Sequence, residues 1–319
     1  MAAIGQSGNP HEKYFHVGGW CPMHKGNPDA SMQRNFEKAL GEGQGACVAT
    51  FDEVQASVEP GQMPLSYETI YHSDIGVLRR DQEDTHLVFD SEDHLLAAVF
   101  DGHASSAVSK LAQAHFLSYF RAQVDDVRFA LEEADGLEKK IIEESCDGGS
   151  TAVITYIDKL TQKIYTATVG DSTASIFRRF DGSKKAVPLS CVRTWSSVSD
   201  LARASKWANF QYGYDGVLRI SPKRLRLGTG TLNVSRALGD HPDKAIQNGV
   251  RAITHKPKIT VTKLMPGDVV ILSCDGLTDY LKVPEMIGVI DGGLEELPQR
   301  LAGRAIFKME EQRSGDIVV

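Results

Sequence analysis

Three apolar runs in this chain each stop at an acidic residue, and that coincidence restricts the fold more than any other feature of the sequence. Leu95-Leu96-Ala97-Ala98-Val99-Phe100 runs into Asp101, Thr166-Ala167-Thr168-Val169-Gly170 into Asp171, and Val269-Val270-Ile271-Leu272-Ser273-Cys274 into Asp275. Short apolar runs bounded by turn residues read as buried strands. One aspartate after a strand is an ordinary turn residue. Three in matched contexts would place three negative charges at one edge of a sheet, which is tolerable only with something positive among them.

The rest of the chain supplies the layers around those strands. His86-Leu87-Val88-Phe89 and the Leu95–Phe100 run flank Asp90-Ser91-Glu92-Asp93, the composition of a hairpin turn. After Asp101-Gly102-His103, the spacing of Val108, Leu111, Ala112, Phe116, Tyr119 and Phe120 predicts a helix capped by Ser105 or Ser106. A second helix is expected over about 127–145. Residues 151–157, 163–169 and 173–179 then read as a meander of three strands, and 258–264 and 268–274 as two more joined by the turn Met265-Pro266-Gly267. Leu294, Leu297, Leu301 and Ala305 mark a last helix. Strand runs, then helices, then strands again favour a layered α+β fold over a repeating βαβ sheet.

Strand pairing is expected to begin near Tyr67. Residues 1–65, rich in Gly, Pro, Asn, Gln and Ser with one short helical stretch at 31–40, read as a partly ordered extension laid on a core domain of residues 66–319. Residues 190–230 are mixed and basic, with Arg193, Arg203, Lys206, Arg219, Lys223, Arg224 and Arg226, and read as a surface insertion in which the stretch from Arg219 to Arg226 is a solvated face.

Charge and composition exclude several partners. The 319 residues carry a formal charge of −7 and a pI near 5.8, against the clustered cationic excess that nucleic-acid binding needs. No apolar run approaches the roughly 18 residues of a spanning helix, and the start lacks the apolar core of a signal peptide, so an intracellular protein is expected, cytoplasmic or nuclear, and monomeric. Five scattered cysteines without a C-x-x-C pair point to free thiols rather than a disulfide framework or a sulfur-rich zinc site.

The acidic set grows when neighbours are added: Glu83 and Asp84 before the first strand pair, Asp279 four residues after Asp275, and Asp316 near the end. Oxygen ligands without an obvious Cys or His contribution suit a hard cation, Mg²⁺ or Mn²⁺. Two such ions about 3.5–4 Å apart acidify a water and clamp the oxygens of an in-line phosphoryl displacement. Hydrolysis of a phosphate ester is the chemistry such a cluster suits.

Six segments in order carry a resemblance: Arg79-Arg80-Asp81-Gln82-Glu83-Asp84, Val99-Phe100-Asp101-Gly102-His103, Gly149-Ser150-Thr151-Ala152, Val169-Gly170-Asp171-Ser172, Leu232-Asn233-Val234-Ser235-Arg236-Ala237-Leu238-Gly239-Asp240 and Leu272-Ser273-Cys274-Asp275-Gly276-Leu277-Thr278-Asp279. From Tyr67 to Val319 the chain resembles the metal-dependent serine/threonine protein phosphatases of the PPM/PP2C family. The resemblance implies a central antiparallel β-sandwich flanked by helices, a four-layer α-β-β-α fold with two Mg²⁺ or Mn²⁺ ions at one end. By position, Asp101 matches the aspartate bridging both ions, the Gly102 carbonyl a ligand, Glu83 the glutamate on one ion, Asp275 the aspartate on the other and Asp316 the final ligand. Asp171 and Asp279, with Asp275, match a weaker third site, and Asp84 a support for metal-bound water. Arg79 matches the arginine that holds the substrate phosphate, and His103 the histidine that protonates the leaving serine or threonine oxygen.

The chain also departs from the pattern. The family's D-G-H-G-G reads Asp101-Gly102-His103-Ala104-Ser105 here, which adds side chains beside the metal loop. The flap segment after the third meander strand differs, and the asparagine usual beside the final ligand is missing from Gly315-Asp316-Ile317-Val318-Val319. Against hydrolysis of phosphorylated protein substrates therefore stands one alternative, a catalytically weak or inactive scaffold that binds a partner through the altered loop and flap.

Overall fold

The computed structural model describes residues 2–5, 67–72, 81–121, 127, 134–195, 197–208, 225–227, 230–232, 234–244, 246–247 and 250–315. Ten strands form two five-stranded sheets: β1 (Ala2–Gly5), β2 (Glu68–Tyr71), β3 (Thr85–Asp90), β4 (His94–Phe100), β5 (Ala152–Asp158), β6 (Lys163–Val169), β7 (Thr173–Phe180), β8 (Ser183–Pro188), β9 (Lys258–Lys263) and β10 (Val269–Ser273). One sheet has the order β8-β7-β10-β1-β2 and the other β9-β6-β5-β4-β3. Every neighbouring pair is antiparallel.

The apolar runs of the sequence are apolar because these strands are covered on both faces. In β4, Leu95, Ala97 and Val99 join Val153, Ile157 and Ile164 of their own sheet and Ala174, Ile176, Val270 and Leu272 of the other in the core between the sheets. The alternate residues Leu96, Ala98 and Phe100 face outward and pack against α1 (Ala107–Arg121) and α2 (Ala134–Glu143). On the far side, Phe177, Val269 and Ile271 lie under α4 (Asp275–Thr278), α5 (Val283–Asp291) and α6 (Leu297–Gly315). These are the four layers, helix, sheet, sheet, helix, that the family resemblance implies. Each large side chain so enclosed contributes about 1.5–3 kcal/mol.

The sequence reading differs from the structure in four places. Strand pairing starts at Ala2, not at Tyr67, because β1 inserts between β10 and β2; Met-Ala-Ala-Ile-Gly is too short and too poor in β-branched residues to announce a strand. A hairpin to β8 was not expected, although Asp181 and Gly182 (φ 47 and 83) form the doubly left-handed turn that Asp-Gly favours. Helix α5, with Pro284 in its first turn, was also unexpected.

The fourth difference concerns the insertion. It contains α3 (Val198–Ala208), and its Trp195 and Ala204 share a small core with Val234, Ala237, Ala252 and Ile253 beyond it. Arg193 and Arg203, with Arg236, surround the buried carboxylate of Asp200. The expected helix at 31–40 and Arg219, Lys223 and Arg224 lie outside the described residues. Among the described residues, no helix is long and apolar enough to cross a membrane, and Cys146, Cys191 and Cys274 form no disulfide.

Candidate active site

Asp101 emerges from β4 with its backbone fixed from two sides. Its carbonyl accepts from the Thr151 N–H at 2.9 Å and from Ser150 Oγ at 3.2 Å. The next residues continue as a miniature ladder in which Gly102 and His103 pair with Ser150 and Gly149, and these with Leu238 and Gly239. Gly102 has no room for a side chain, since a Cβ there would lie 2.4 Å from the Glu83 carbonyl oxygen. That oxygen also accepts from Ser109 Oγ at 2.5 Å, and Thr85 Oγ1 donates to the Ser109 carbonyl at 2.8 Å. Ser109 on α1 thus ties the Glu83-Asp84 segment to the Asp101-Gly102 loop.

The other two strand ends arrive beside it. The β6 end is joined to the ladder by the Thr151 and Ser172 hydroxyls, 2.6 Å apart, and turns at Gly170 (φ 91), where a Cβ would meet Thr151 Cγ2 at 2.7 Å. The β10 end leads into α4, whose first residue is Asp275. The Asp279 N–H donates to the Asp275 carbonyl at 2.8 Å, so the two aspartates stand one helical turn apart on the same side.

Crowding of these carboxylates is visible in their proton affinities. Burial, followed by the charges of Asp84 and Asp275, a hydrogen bond shared with Asp84 and the charge of Asp171, pushes Asp101 up to about 9. Burial, then Asp275 and Asp279, pushes Asp171 up to about 6, partly offset by a backbone hydrogen bond and by His103. Polar atoms of Asp101, Cys274 and Asp275 lie within 4.8 Å of one another. The Cys274 thiol is itself raised, first by burial and then by Asp84, Asp101 and Asp275, and shares a hydrogen bond with Asp84. Beside this thiol stand the carboxylate oxygens of Asp101 and Asp275, the donors a hard cation prefers over sulfur. That donor set fits a hard divalent ion, which would offset the burial and the neighbouring charges that raise Asp101.

The family model for protein phosphatase 2C matches residues 75–317. The chain belongs to the protein phosphatase 2C family. A rice protein, "Probable protein phosphatase 2C 47", is 24% identical over 82% of this chain and 70% of its own length. A structure of a serine-threonine phosphatase 2C from Toxoplasma gondii superposes with a TM-score of 0.60 at 18% identity, covering 75% of this chain and 88% of that one. A sex-determining protein of C. elegans gives a TM-score of 0.59 at 21% identity over 73% of this chain, which spans only 60% of the worm chain. At these identities the structures establish the fold. By family the chain is a protein serine/threonine phosphatase, and the family is metal-dependent.

Within this phosphatase fold, Asp101 stands in electrostatic reach of Asp84, Asp171 and Asp275, and Asp171 in reach of Asp275 and Asp279. The Glu83 backbone adjoins Gly102, and His103 lies near enough to Asp171 to lower its proton affinity. Arg79 and Asp316 lie outside the described residues. The sequence reading gave no role to Ser109, Thr151, Gly149 or Asp240. The last three sit in segments that carried the resemblance, so their positions were visible and their contacts were not. Ser109 had one sequence signal, a small polar residue next to the apolar stripe of α1.

Proposed function

We propose that this chain hydrolyses phosphoserine and phosphothreonine in proteins, using two Mg²⁺ or Mn²⁺ ions held by Glu83, Asp101, the Gly102 carbonyl, Asp275 and Asp316. Asp171 and Asp279, with Asp275, would hold a weaker third ion. The observation that carries this reading is the buried carboxylate crowd that pushes Asp101 up to about 9, a cost that a dication at that place removes. When bound, such ions supply an activated water and neutralise charge on the phosphoryl group.

The chain's own residues do the rest. Arg79 binds and orients the phosphate as a bidentate donor. Asp84, hydrogen-bonded to Asp101, holds that carboxylate in place. His103 delivers a proton to the departing serine or threonine oxygen.

Purified protein should hydrolyse a phosphothreonine peptide with Mn²⁺ or Mg²⁺ and stop with EDTA, and Asp101→Asn should lower kcat by about two orders of magnitude or more. Turnover that survives both EDTA and Asp101→Asn overturns the reading. The scaffold alternative is supported by one observation: Ala104 occupies a left-handed backbone (φ 64) where the family pattern has glycine. Calorimetry separates the two, because a scaffold would bind Mn²⁺ weakly or bind it without turnover.

A further inference from the structure

His103 makes a contact that neither the metal set nor a bare proton-donor role requires. Its Nε2 lies 2.8 Å from Oδ2 of Asp240, a residue only 9% exposed. The contact is built in from three directions. Asp240 itself takes a left-handed conformation (φ 51), and its N–H donates to the Gly148 carbonyl at 2.8 Å. The preceding Gly239 N–H donates to Glu138 Oε2 at 3.1 Å, and Glu138 Oε1 receives Lys244 Nζ at 2.5 Å in a buried pair that pins this turn to α2. Gly149 closes the third side, because a Cβ there would stand 2.2 Å from Asp240 Oδ2 and 2.5 Å from His103 Nε2. The pair can meet only over a glycine.

We propose that Asp240 is the positioning residue for His103, an assignment that rests on the phosphatase reading above. A carboxylate accepting from Nε2–H fixes the plane of the ring and its tautomer, so that Nδ1 is the nitrogen presented to substrate. As water attacks phosphorus and the P–O bond to the serine or threonine oxygen breaks, the Nδ1 proton moves to that oxygen. The ring is left neutral with its Nε2–H still on Asp240.

A purely structural tie would affect all substrates alike, whereas an orienting role depends on the leaving group. Asp240→Ala should lower kcat on a phosphothreonine peptide by about 10- to 100-fold with KM changed less than about twofold. On p-nitrophenyl phosphate, whose leaving group departs without a proton, the loss should stay below about threefold. In a His103→Ala background Asp240→Ala should cost nothing more, and Asp240→Asn, whose amide oxygen still accepts from Nε2–H, should recover most of the peptide activity. Should Asp240→Ala fail to fold, ring ¹⁵N spectra of the metal-free wild type decide the point: the neutral His103 ring should carry its proton on Nε2. Equal losses on both substrates, losses that multiply with His103→Ala, or a proton on Nδ1 overturn this assignment alone. A wild type without metal-dependent turnover overturns the phosphatase reading beneath it.

Discussion

Single backbone conformations around Asp101 decide which residues the site tolerates. Ala104 carries a Cβ at φ 64, a left-handed conformation that costs a side-chain-bearing residue about 1–2 kcal/mol. Ala104→Gly should therefore stabilise the protein by about 1 kcal/mol in urea titrations, despite the greater freedom glycine has when unfolded. Ser105, the other departure from the family's loop, has found separate work. Its Oγ accepts from the Ala107 N–H at 3.0 Å and donates to the Asp147 carbonyl at 3.1 Å, capping α1 and tying it to the ladder. Two glycines make a matched test of close approach. At Gly182 (φ 83) no atom lies within 4 Å of a Cβ, so Gly182→Ala should cost only about 1 kcal/mol of backbone strain and leave turnover intact. At Gly149 the new Cβ would enter the His103–Asp240 contact, so Gly149→Ala should lower peptide turnover by about tenfold or more, read as kcat on a phosphothreonine peptide.

Helix α3 and the bridge residues beside it form a brace behind the Asp171 turn. The Arg193 N–H donates to the Gly170 carbonyl at 2.6 Å, and Arg236 N–H groups reach Asp200 and the Lys256 carbonyl. Arg203 donates to Asp200 and to the Ala252 and Ser235 carbonyls. Burial alone would raise the Asp200 carboxyl, but Arg203 and Arg236 outweigh it and hold the group below its ordinary value. Since the folded value is the lower one, this pair of arginines stabilises the fold above the usual carboxylate range, and that stability is lost as pH falls through the folded value. Asp200→Ala leaves three guanidinium groups facing one another and should cost about 3–5 kcal/mol, with hydrogen exchange rising first in α3 and around Gly170. Little of this was legible in the sequence, where Arg193 and Arg203 looked like part of a surface insertion: Asp200 and Arg203 stand three apart on α3, but the pair from Asp200 to Arg236 spans 36 positions and leaves no periodic trace. The two-sided burial of β4 was legible, because covering both faces demands an unbroken apolar run. The Asp181-Gly182 hairpin was legible in principle, its dipeptide being the one its turn requires. In the site, the aspartates announced themselves by ending strands, while the groups that hold them, Ser109 and Thr151, resemble any other small polar residue.

The two sheets and the helices over them converge on one place where the chain is locally unfavourable, and the pH dependence of the whole fold should report it. Asp101 and Asp171 have folded-state values of about 9 and about 6, both above the ordinary carboxylate value of 3.8. The folded state therefore holds protons that the unfolded chain releases. Any stability this confers is complete below about pH 4 and is lost as pH rises, through Asp171 near 6 and then Asp101 near 9. Metal-free protein should accordingly lose melting temperature steadily between pH 5 and pH 8. On the proposed function, Mn²⁺ or Mg²⁺ would bind only the ionised cluster, and binding to the folded state alone raises stability by mass action. The gain in melting temperature on adding either ion should thus be larger at pH 8 than at pH 5. Asp101→Asn removes the most strongly shifted of these groups, so it should raise the metal-free melting temperature at pH 8 while shrinking the metal-induced gain. Differential scanning calorimetry of both proteins, with and without Mn²⁺ at the two pH values, measures all four quantities. A metal-free wild type as stable at pH 8 as at pH 5, with no added stability from Mn²⁺ at either, would mean that the carboxylates do not share the buried volume between the strand ends.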